Sequence, residues 1–432
     1  MRHNMLALVS TVVLALALGV VTGLWAESTE GESPDEVLGR IRTDIQQLLA
    51  TTSPELYQRH LRSVLALCED SVLKLQFAGA DHDGQAKELL DYLKAIESGL
   101  KNENVRRPET YLVKGQGSLD VARLSRSDGT LQFYTVSFPA RWDASKAYPL
   151  YVYLHGRGSD LPLSLVASTF VPQPDGAKPN AAAIVVVPWL RGNGQWRDEN
   201  GPEPDVWEAI HEVRTFAKID PDRRYVAGHS WGGDDVWAIV LRTPDLWAAA
   251  GIMAGSAAGV PSDSNLVANA EHVPFYLWKG AQDPIPNRHA NLEYFRNSLI
   301  RVGDAPKVVI AEGVGHNPRP ADFAAMQTWL LEHVRQRPNH FSYLIDTPQH
   351  RGIWGISIPR MYPDAYLSVE PQVRFECSIK DSTVQVTTMN SSCLDVDFGP
   401  GGPNLSGTVK LIVNGKELFD GPVPSKRNSF TW

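Results

Sequence analysis

The sequence predicts an α/β fold with a mostly parallel sheet, preceded by a helical segment and followed by a small all-β domain. Between about residues 109 and 338, near-continuous apolar runs alternate with amphipathic helical segments, which indicates parallel strands covered on both faces. The periodicity is helical before this region and strand-like after it. With 432 residues, 43% of them hydrophobic, the chain is long enough for one large core and a smaller second one.

Residues 1–26 predict a secretory signal peptide. Arg2 provides a basic start, an apolar run extends from Met5 to about Val21, and Ala26 is a small residue at the expected cleavage position. The alternative is an uncleaved membrane anchor, because the run approaches the length that crosses a bilayer. We therefore expect a secreted or periplasmic protein without a stable membrane span in its mature form, with membrane anchoring as the alternative.

Residues 27–108 predict a few packed helices. The stretches "DEVLGRIRTDIQQLLA" and "AKELLDYLKAIESGL" place apolar residues at helical spacing. Pro34 and the pair Ser53-Pro54 are typical of helix starts.

Residues 109–338 predict the α/β domain itself. The strand-like runs are "LQFYTVSF", "PLYVYLH", "AAIVVVP", "RYVAG", "AAAGIMAG", "PFYLWKG" and "KVVIAEG". Segments such as "DVWEAIHEVRTFA" and "HANLEYFRNSLI" supply the intervening helices.

Residues 339–432 predict a small β domain. Its strand-like runs are "YLSVEPQVRFECSI", "STVQVTTM", "CLDVDF" and "GTVKLIVNGKELFDG", and Asn414-Gly415 indicates a type I′ hairpin turn. Cys377 and Cys393 flank one strand-like stretch and are candidates for a disulfide, which leaves Cys68 unpaired. Three buried free thiols are the alternative.

The charge pattern excludes one class of partner. The net charge is −8 and no block of Lys and Arg occurs, whereas nucleic-acid phosphates need a basic face. No metal-ligand spacing is present, and "GPGGPN" at residues 399–404 lacks the lysine and the helix of a phosphate-binding loop. We expect neither a nucleic-acid partner nor a metal or organic cofactor.

The stretch "GHSWGG" at residues 228–233 has the context of a nucleophilic turn. It follows the strand-like "RYVAG" and precedes the helical "DDVWAIVLRT", which is the strand–turn–helix arrangement that exposes a serine at the edge of a sheet. Gly228 and Gly232 are expected to approach each other across the turn, leaving no room for β-carbons. Ser230 is the predicted nucleophile, and Asp234 and Asp235 are expected only to begin the helix.

A serine nucleophile needs a base and an orienting acid. Asp283 and His316 each follow a later strand-like run, in the chain order Ser, acid, His. Because the carboxyl ends of parallel strands meet at one edge of the sheet, these side chains are expected to lie near Ser230. The alternatives left open are Asp263, Asp304, His333, His340 and His350.

A site for acyl transfer also needs N–H donors for the developing oxyanion. The run "YLHGRGSD" ends a strand with His155, and its glycines are typical of an oxyanion loop. We assign the backbone N–H of Trp231 as one donor and that of Arg157 as the other, with Gly156 as a substitute. His155 is expected to brace this loop.

These motifs together resemble secreted α/β-hydrolases of the esterase and prolyl-oligopeptidase-like type, related to polyhydroxybutyrate depolymerases and feruloyl esterases. The resemblance covers about residues 128–335 and rests on "SDGTLQFYTVSFPARWDASKAYPLYVYLHGRGSD", "DVWEAIHEVRTFAKIDPDRRYVAGHSWGG", "YLWKGAQDPIPNRHANLEYF" and "EGVGHNP". It implies the α/β-hydrolase fold. Such sequences often carry methionine after the nucleophile and small residues further on, where this chain has Trp231 and Asp234-Asp235.

The predicted function is a serine hydrolase that cleaves carboxylic esters of small molecules or polymer-linked groups without a cofactor. A serine peptidase of the prolyl-oligopeptidase-like type is the alternative, since the same residues would act on an amide. A non-catalytic binding protein on a hydrolase fold is the third reading. Trp189, Trp196 and Trp207 either overhang the site or pack in the core.

Overall fold

Three helices form the first part of the computed structural model, which describes residues 32–52, 54–77, 83–101, 118–139, 142–157, 182–192, 201–256, 265–360 and 373–432. They are α1 (Pro34–Thr51), α2 (Glu55–Phe77) and α3 (Asp83–Leu100). Ser33 and Glu36 cap the first helix reciprocally, with Pro34 in its first turn. Within these described ranges, no helix combines the length and the apolar character needed to cross a membrane. The predicted leader lies outside them.

Eight strands of the following region form one sheet. They are β1 (Ser118–Leu124), β2 (Leu131–Ser137), β3 (Ala147–Leu154), β4 (Ile184–Pro188), β5 (Lys218–His229), β6 (Ala249–Met253), β7 (Phe275–Gly280) and β8 (Lys307–Ala311). The order across the sheet is β1-β2-β4-β3-β5-β6-β7-β8. The six strands β3 to β8 run parallel to one another. The β1/β2 and β2/β4 pairs of this sheet are antiparallel. The predicted mostly parallel sheet is confirmed.

Among the described residues of this region, the α-helices are α4 (Glu203–Val213), α5 (Trp231–Arg242), α6 (Arg288–Arg301) and α7 (Pro320–Leu331). They cover both faces of the sheet. One apolar cluster joins α4, α5 and α6 to one face, and a second joins Met326 and Leu330 of α7 to the other. The first cluster also contains buried residues of α1, α2 and α3. The helical segment and the α/β region on either side of residue 108 therefore share one core. The predicted domain limits themselves stay predictions.

Strand β1 is absent from the predicted strand runs because its charged residues hide the pattern. Asp120 is fully buried, and its carboxylate accepts a hydrogen bond from the Thr135 hydroxyl at 2.6 Å. The backbone N–H of Asp120 donates to Nδ1 of the buried His60 on α2 at 2.9 Å. Polar groups inside this part of the core thus fix α2 against the edge of the sheet.

We expect His60 to make the protein less stable in acid. Burial lowers the pKa of His60 to about 4. Between pH 6.5 and pH 4, the His60 imidazole therefore binds a proton in the unfolded chain but remains mostly neutral in the folded chain. The contribution of His60 to the free energy of unfolding is fully present above pH 6.5. It is lost as pH falls toward 4, where the loss approaches about 3 kcal/mol.

Urea unfolding at pH 7.5 and pH 4.5 tests this expectation with His60→Asn, whose side-chain oxygen replaces Nδ1 as acceptor. The variant should lose less stability between the two pH values than the unmodified chain. The control is His340→Asn, because His340 is exposed and its replacement should leave the pH dependence unchanged. Equal acid sensitivity in His60→Asn and the unmodified chain would contradict the prediction.

The last part of the chain forms two sheets. One has the order β10-β11-β14-β17, and the other has the order β16-β15-β13-β12-β9. The strands are β9 (His340–Ile345), β10 (Gly352–Ile353), β11 (Ile356–Ser357), β12 (Val373–Lys380), β13 (Thr383–Met389), β14 (Cys393–Val396), β15 (Thr408–Val413), β16 (Lys416–Pro422) and β17 (Asn428–Thr431). Apolar residues of both sheets share one core. The all-β prediction for this region is confirmed, and Asn414 and Gly415, at φ 49° and 78°, form the predicted hairpin turn.

The proposed disulfide is not formed. Cys377 lies on β12 and Cys393 on β14, which belong to different sheets. Both thiols are free and buried, and the Cys68 thiol is also free and buried. Because the spacing along the chain does not reveal which sheet a strand joins, the alternative of three buried thiols is the correct one.

Strand β9 and the residue after it connect the β region to α5 and to Asn269. The Arg242 side chain on α5 pairs with the Asp346 carboxylate, and the Tyr343 hydroxyl donates to the Arg242 carbonyl at 2.7 Å. The Asn269 side chain donates to the Leu344 carbonyl and accepts from its N–H. These buried polar contacts hold the β region against the helix that follows Ser230.

Candidate active site

Ser230 lies at the turn between β5 and α5, where the chain is in a sparsely populated conformation. Its φ is 55° and its ψ is −118°, a strained geometry for a residue with a β-carbon. The Ser230 N–H donates to the Met253 carbonyl at the end of β6 at 2.9 Å. The turn therefore stands at the carboxyl edge of the sheet.

Two glycines allow this turn to form. A β-carbon on Gly228 would overlap the carbonyl of Gly232, so these residues approach each other as expected. A β-carbon on Gly232 would instead overlap the carbonyl of Leu154 at the end of β3. The second glycine thus brings the nucleophile turn against the loop that begins at His155.

The structure places Ser230, His316 and Asp283 in one hydrogen-bonded row. His316 Nε2 lies 3.0 Å from the Ser230 hydroxyl, and His316 Nδ1 lies 2.9 Å from a carboxylate oxygen of Asp283. The other Asp283 oxygen accepts the N–H of Ile285 at 3.0 Å. The Asp283 side chain is fully buried and that of His316 is 18% exposed, so the carboxylate is shielded from solvent while the imidazole is partly exposed.

The loops that carry Asp283 and His316 contact each other directly. The Gln282 N–H donates to the Val314 carbonyl at 2.9 Å. A β-carbon on Gly280, the last residue of β7, would overlap the carbonyl of Gly315. This close approach of two backbones brings the loops of Asp283 and His316 together. Its signal in the sequence is Gly280, the last residue of "PFYLWKG".

Asp234 does more than begin α5. Its carboxylate accepts the N–H of Ser256 and pairs with the Arg288 guanidinium, at 3.3 Å from Nη1. Both charged side chains are buried, and burial raises the pKa of Asp234. This ion pair joins the nucleophile helix to the start of α6, five residues after Asp283.

His229 also has a contact that the sequence did not reveal. Its Nε2 lies 3.0 Å from the His316 carbonyl oxygen, and the two imidazole rings are 4.8 Å apart between centroids. Burial lowers the pKa of His229 to about 4. A neutral His229 therefore donates from Nε2 to the backbone of the residue that faces Ser230.

The loop after β3 lies against the nucleophile turn. A β-carbon on Gly156 would stand 3.1 Å from the Ser230 β-carbon, and the Arg157 guanidinium lies over the Trp231 indole. The His155 imidazole contacts two backbone carbonyls beside this loop. His155 places Nδ1 at 2.7 Å from the Gly156 carbonyl and Nε2 at 2.9 Å from the Trp189 carbonyl.

The other residues considered as partners lie elsewhere. His333, just beyond α7, places Nδ1 against the Trp329 carbonyl of that helix. His340 is on β9, and His350 contacts Glu203 at 2.6 Å. Asp304 precedes β8 and is therefore at the opposite end of that strand from His316. Asp263 lies outside the described residues. Within the described ranges, no group of three His, Cys, Asp or Glu side chains is arranged to hold a metal ion.

Two of the three tryptophans pack in the protein interior. Trp189 is 7% exposed and stacks on Phe133, with centroids 5.4 Å apart. Trp207 stacks on Trp247 and donates from Nε1 to Glu203. These contacts account for Trp189 and Trp207 as packing residues, while Trp196 lies outside the described residues.

The sheet order and the strand–turn–helix at Ser230 define the α/β-hydrolase fold, which confirms the fold implied by the resemblance. No family model matches the chain. Two curated relatives are named probable feruloyl esterase C. The Aspergillus niger protein is 28% identical over 126 residues, and the Aspergillus flavus protein is 30% identical over 125 residues.

Each of these alignments covers 28% of this chain and 46% of the relative, so the chain spans about half the length of the curated relatives it matches. Among solved structures, a thermostable esterase is 24% identical, with a TM-score of 0.41. That alignment covers 52% of this chain and 64% of the esterase. By sequence, the chain is thus similar to part of two proteins named feruloyl esterase.

Proposed function

We propose that this protein is a secreted serine hydrolase that cleaves carboxylic ester bonds through Ser230, His316 and Asp283. The observation that carries the proposal is the unbroken row of contacts from the Ser230 hydroxyl through His316 to Asp283. The similarity to proteins named feruloyl esterase supports an ester rather than an amide substrate. Export rests on the predicted leader at residues 1–26.

In the first half of the reaction, the Ser230 oxygen attacks the ester carbonyl while His316 Nε2 takes the serine proton. The Asp283 carboxylate accepts the Nδ1–H of His316 and stabilises the imidazolium. The backbone N–H groups of Trp231 and Arg157, with Gly156 as the substitute for the latter, stabilise the oxyanion. Collapse of the intermediate expels the alcohol, which receives the proton from His316, and leaves an acyl group on Ser230.

In the second half, His316 removes a proton from water as the water oxygen attacks the acyl-enzyme. The second oxyanion collapses, the proton returns to Ser230, and the carboxylic acid leaves. Every atom transferred comes from the ester or from water.

Labelling with a fluorophosphonate probe tests the proposal, followed by assays of 4-nitrophenyl esters of graded acyl length and of prolyl peptide 4-nitroanilides. We expect labelling of Ser230 and hydrolysis of the esters at much higher kcat/KM than the amides. Preferential amide cleavage would support the peptidase alternative. Absence of labelling in a folded sample would exclude both enzyme functions and favour a binding protein.

We further expect His229 to position the base. His229→Phe keeps a ring of similar size but removes the donor to the His316 carbonyl. A displaced base lowers kcat by roughly tenfold to a hundredfold with little change in KM, because transition-state geometry is lost while substrate contacts remain.

Steady-state kinetics on a 4-nitrophenyl ester measures this effect. His229→Gln is the matched variant, because its amide N–H replaces Nε2 and should recover part of kcat. The pH–rate profile of the unmodified enzyme between pH 5 and 8 should contain no ionisation of His229, since its pKa lies near 4. An unchanged kcat in His229→Phe would show that the contact has no role in positioning.

A further inference from the structure

Arg157 places an exposed positive charge beside the candidate nucleophile. The residue follows β3 and is exposed, and its guanidinium carbon lies 5.4 Å from the centroid of the Trp231 ring. Trp231 directly follows Ser230, and the neighbouring Gly156 lies against the Ser230 side chain. The guanidinium is therefore within reach of groups attached to an ester bound at Ser230.

The two carboxylates of the described site are already engaged. Asp283 accepts hydrogen bonds from His316 and Ile285, and Asp234 pairs with Arg288. Among the described residues, no carboxylate pairs with Arg157, whose guanidinium lies over the Trp231 indole. Within that part of the chain, the N–H donors of the guanidinium are not taken up by a carboxylate.

The cation–π contact with Trp231 prepares this side chain for binding an anion. A guanidinium attracted to the face of an indole keeps its edge N–H groups free. Those N–H groups have the spacing to donate two parallel hydrogen bonds to one carboxylate. Because the indole already restrains the arginine, less side-chain entropy is lost when the carboxylate binds.

We propose that Arg157, held on Trp231, binds a carboxylate of the ester substrate, so that the enzyme prefers esters carrying a carboxylate on their acyl or alcohol part. This inference rests on the proposed ester hydrolase function. A single cation fits one carboxylate, whereas the net charge of −8 disfavours a polyanion. Trp231 thus contributes both an oxyanion donor through its backbone and a support for the selective cation through its ring.

Two matched substrate pairs test the proposal with the full chain. The acyl-side pair is the 4-nitrophenyl monoester of adipic acid and its methyl ester, and the alcohol-side pair is 4-acetoxybenzoate and its methyl ester. The readout is the ratio of kcat/KM for the carboxylate to kcat/KM for the neutral partner. This ratio cancels any effect of a substitution on the oxyanion loop itself.

We expect a ratio above one for at least one pair in the unmodified enzyme. Arg157→Gln should lower that ratio by about tenfold to a hundredfold, and Arg157→Lys should retain part of it because the charge remains but the planar fork is lost. Raising the ionic strength should lower the ratio in the unmodified enzyme. Arg296→Gln, on the exposed surface of α6, should leave the ratio unchanged.

The outcomes separate this inference from the function on which it rests. Hydrolysis of the neutral esters with the same ratio in Arg157→Gln and the unmodified enzyme would overturn the carboxylate proposal and leave the esterase proposal intact. Failure to hydrolyse any ester, together with no fluorophosphonate labelling, would overturn both. Circular dichroism of each variant confirms that the compared proteins are folded.

Discussion

Replacing Ser230 by alanine is expected to lower kcat for ester hydrolysis by on the order of 10⁶, the loss seen when a nucleophilic serine is removed from a triad. The substitution deletes the Ser230 hydroxyl, which faces His316 and is the proposed nucleophile. Fluorophosphonate labelling should disappear with it. Because alanine keeps the β-carbon and Ser230 makes its fixed backbone contact through N–H, we expect little change in Tm.

Ester hydrolysis and thermal unfolding should be measured together for this variant. Ser145→Ala is the control, since Ser145 is an exposed serine before β3 and should retain full activity and labelling. Retention of more than a few per cent of the activity in Ser230→Ala would show that another residue is the nucleophile.

Replacing Asp283 by asparagine is expected to lower kcat by about 10⁴. The Asp283 carboxylate accepts the Nδ1–H of His316, which leaves Nε2 free to take the serine proton. An asparagine side chain can donate to Nδ1 instead, so the imidazole proton moves to Nε2 and the base can no longer accept. The loss should therefore appear in kcat while the protein keeps its fold.

Asp304→Asn is the matched control for this prediction, because Asp304 is the alternative acid left open by the sequence. It lies at the opposite end of β8 from His316, and burial raises its pKa to about 6. We expect the Asp304 variant to keep its kcat. Near-full activity in Asp283→Asn combined with a large loss in Asp304→Asn would reverse the assignment of the acid.

The strands that the sequence predicted were those with uninterrupted apolar residues. The runs at β3, β4, β6 and β7 are buried on both faces in the structure, which is why periodicity alone revealed them. Strand β1 was missed because the buried Asp120 and the Arg123 side chain interrupt its pattern. Asp120 is bound by His60 of α2 and Thr135 of β2, and Arg123 pairs with Glu208 of α4, partners that no local pattern indicates.

In the candidate site, too, features that follow from local sequence were predictable and contacts with distant residues were not. Ser230, Asp283 and His316 were predictable because each follows a strand, and parallel strands end at one edge of the sheet. The contacts of His229 and Asp234 were not predictable, since they are made with the His316 carbonyl and the Arg288 guanidinium. Those partners lie 87 and 54 residues away along the chain.

The sequence by itself determined the parallel sheet, the strained turn at "GHSWGG" and the order of three chemical groups along the chain. These features are local, because they follow from side-chain period, glycine placement and the direction of each strand. Only the tertiary structure decided that the thiols of Cys377 and Cys393 stay apart in different sheets. It also decided that Trp189 packs in the interior and that Arg157 lies over Trp231. Such contacts depend on how distant backbones approach one another, which the spacing of residues along a chain does not specify.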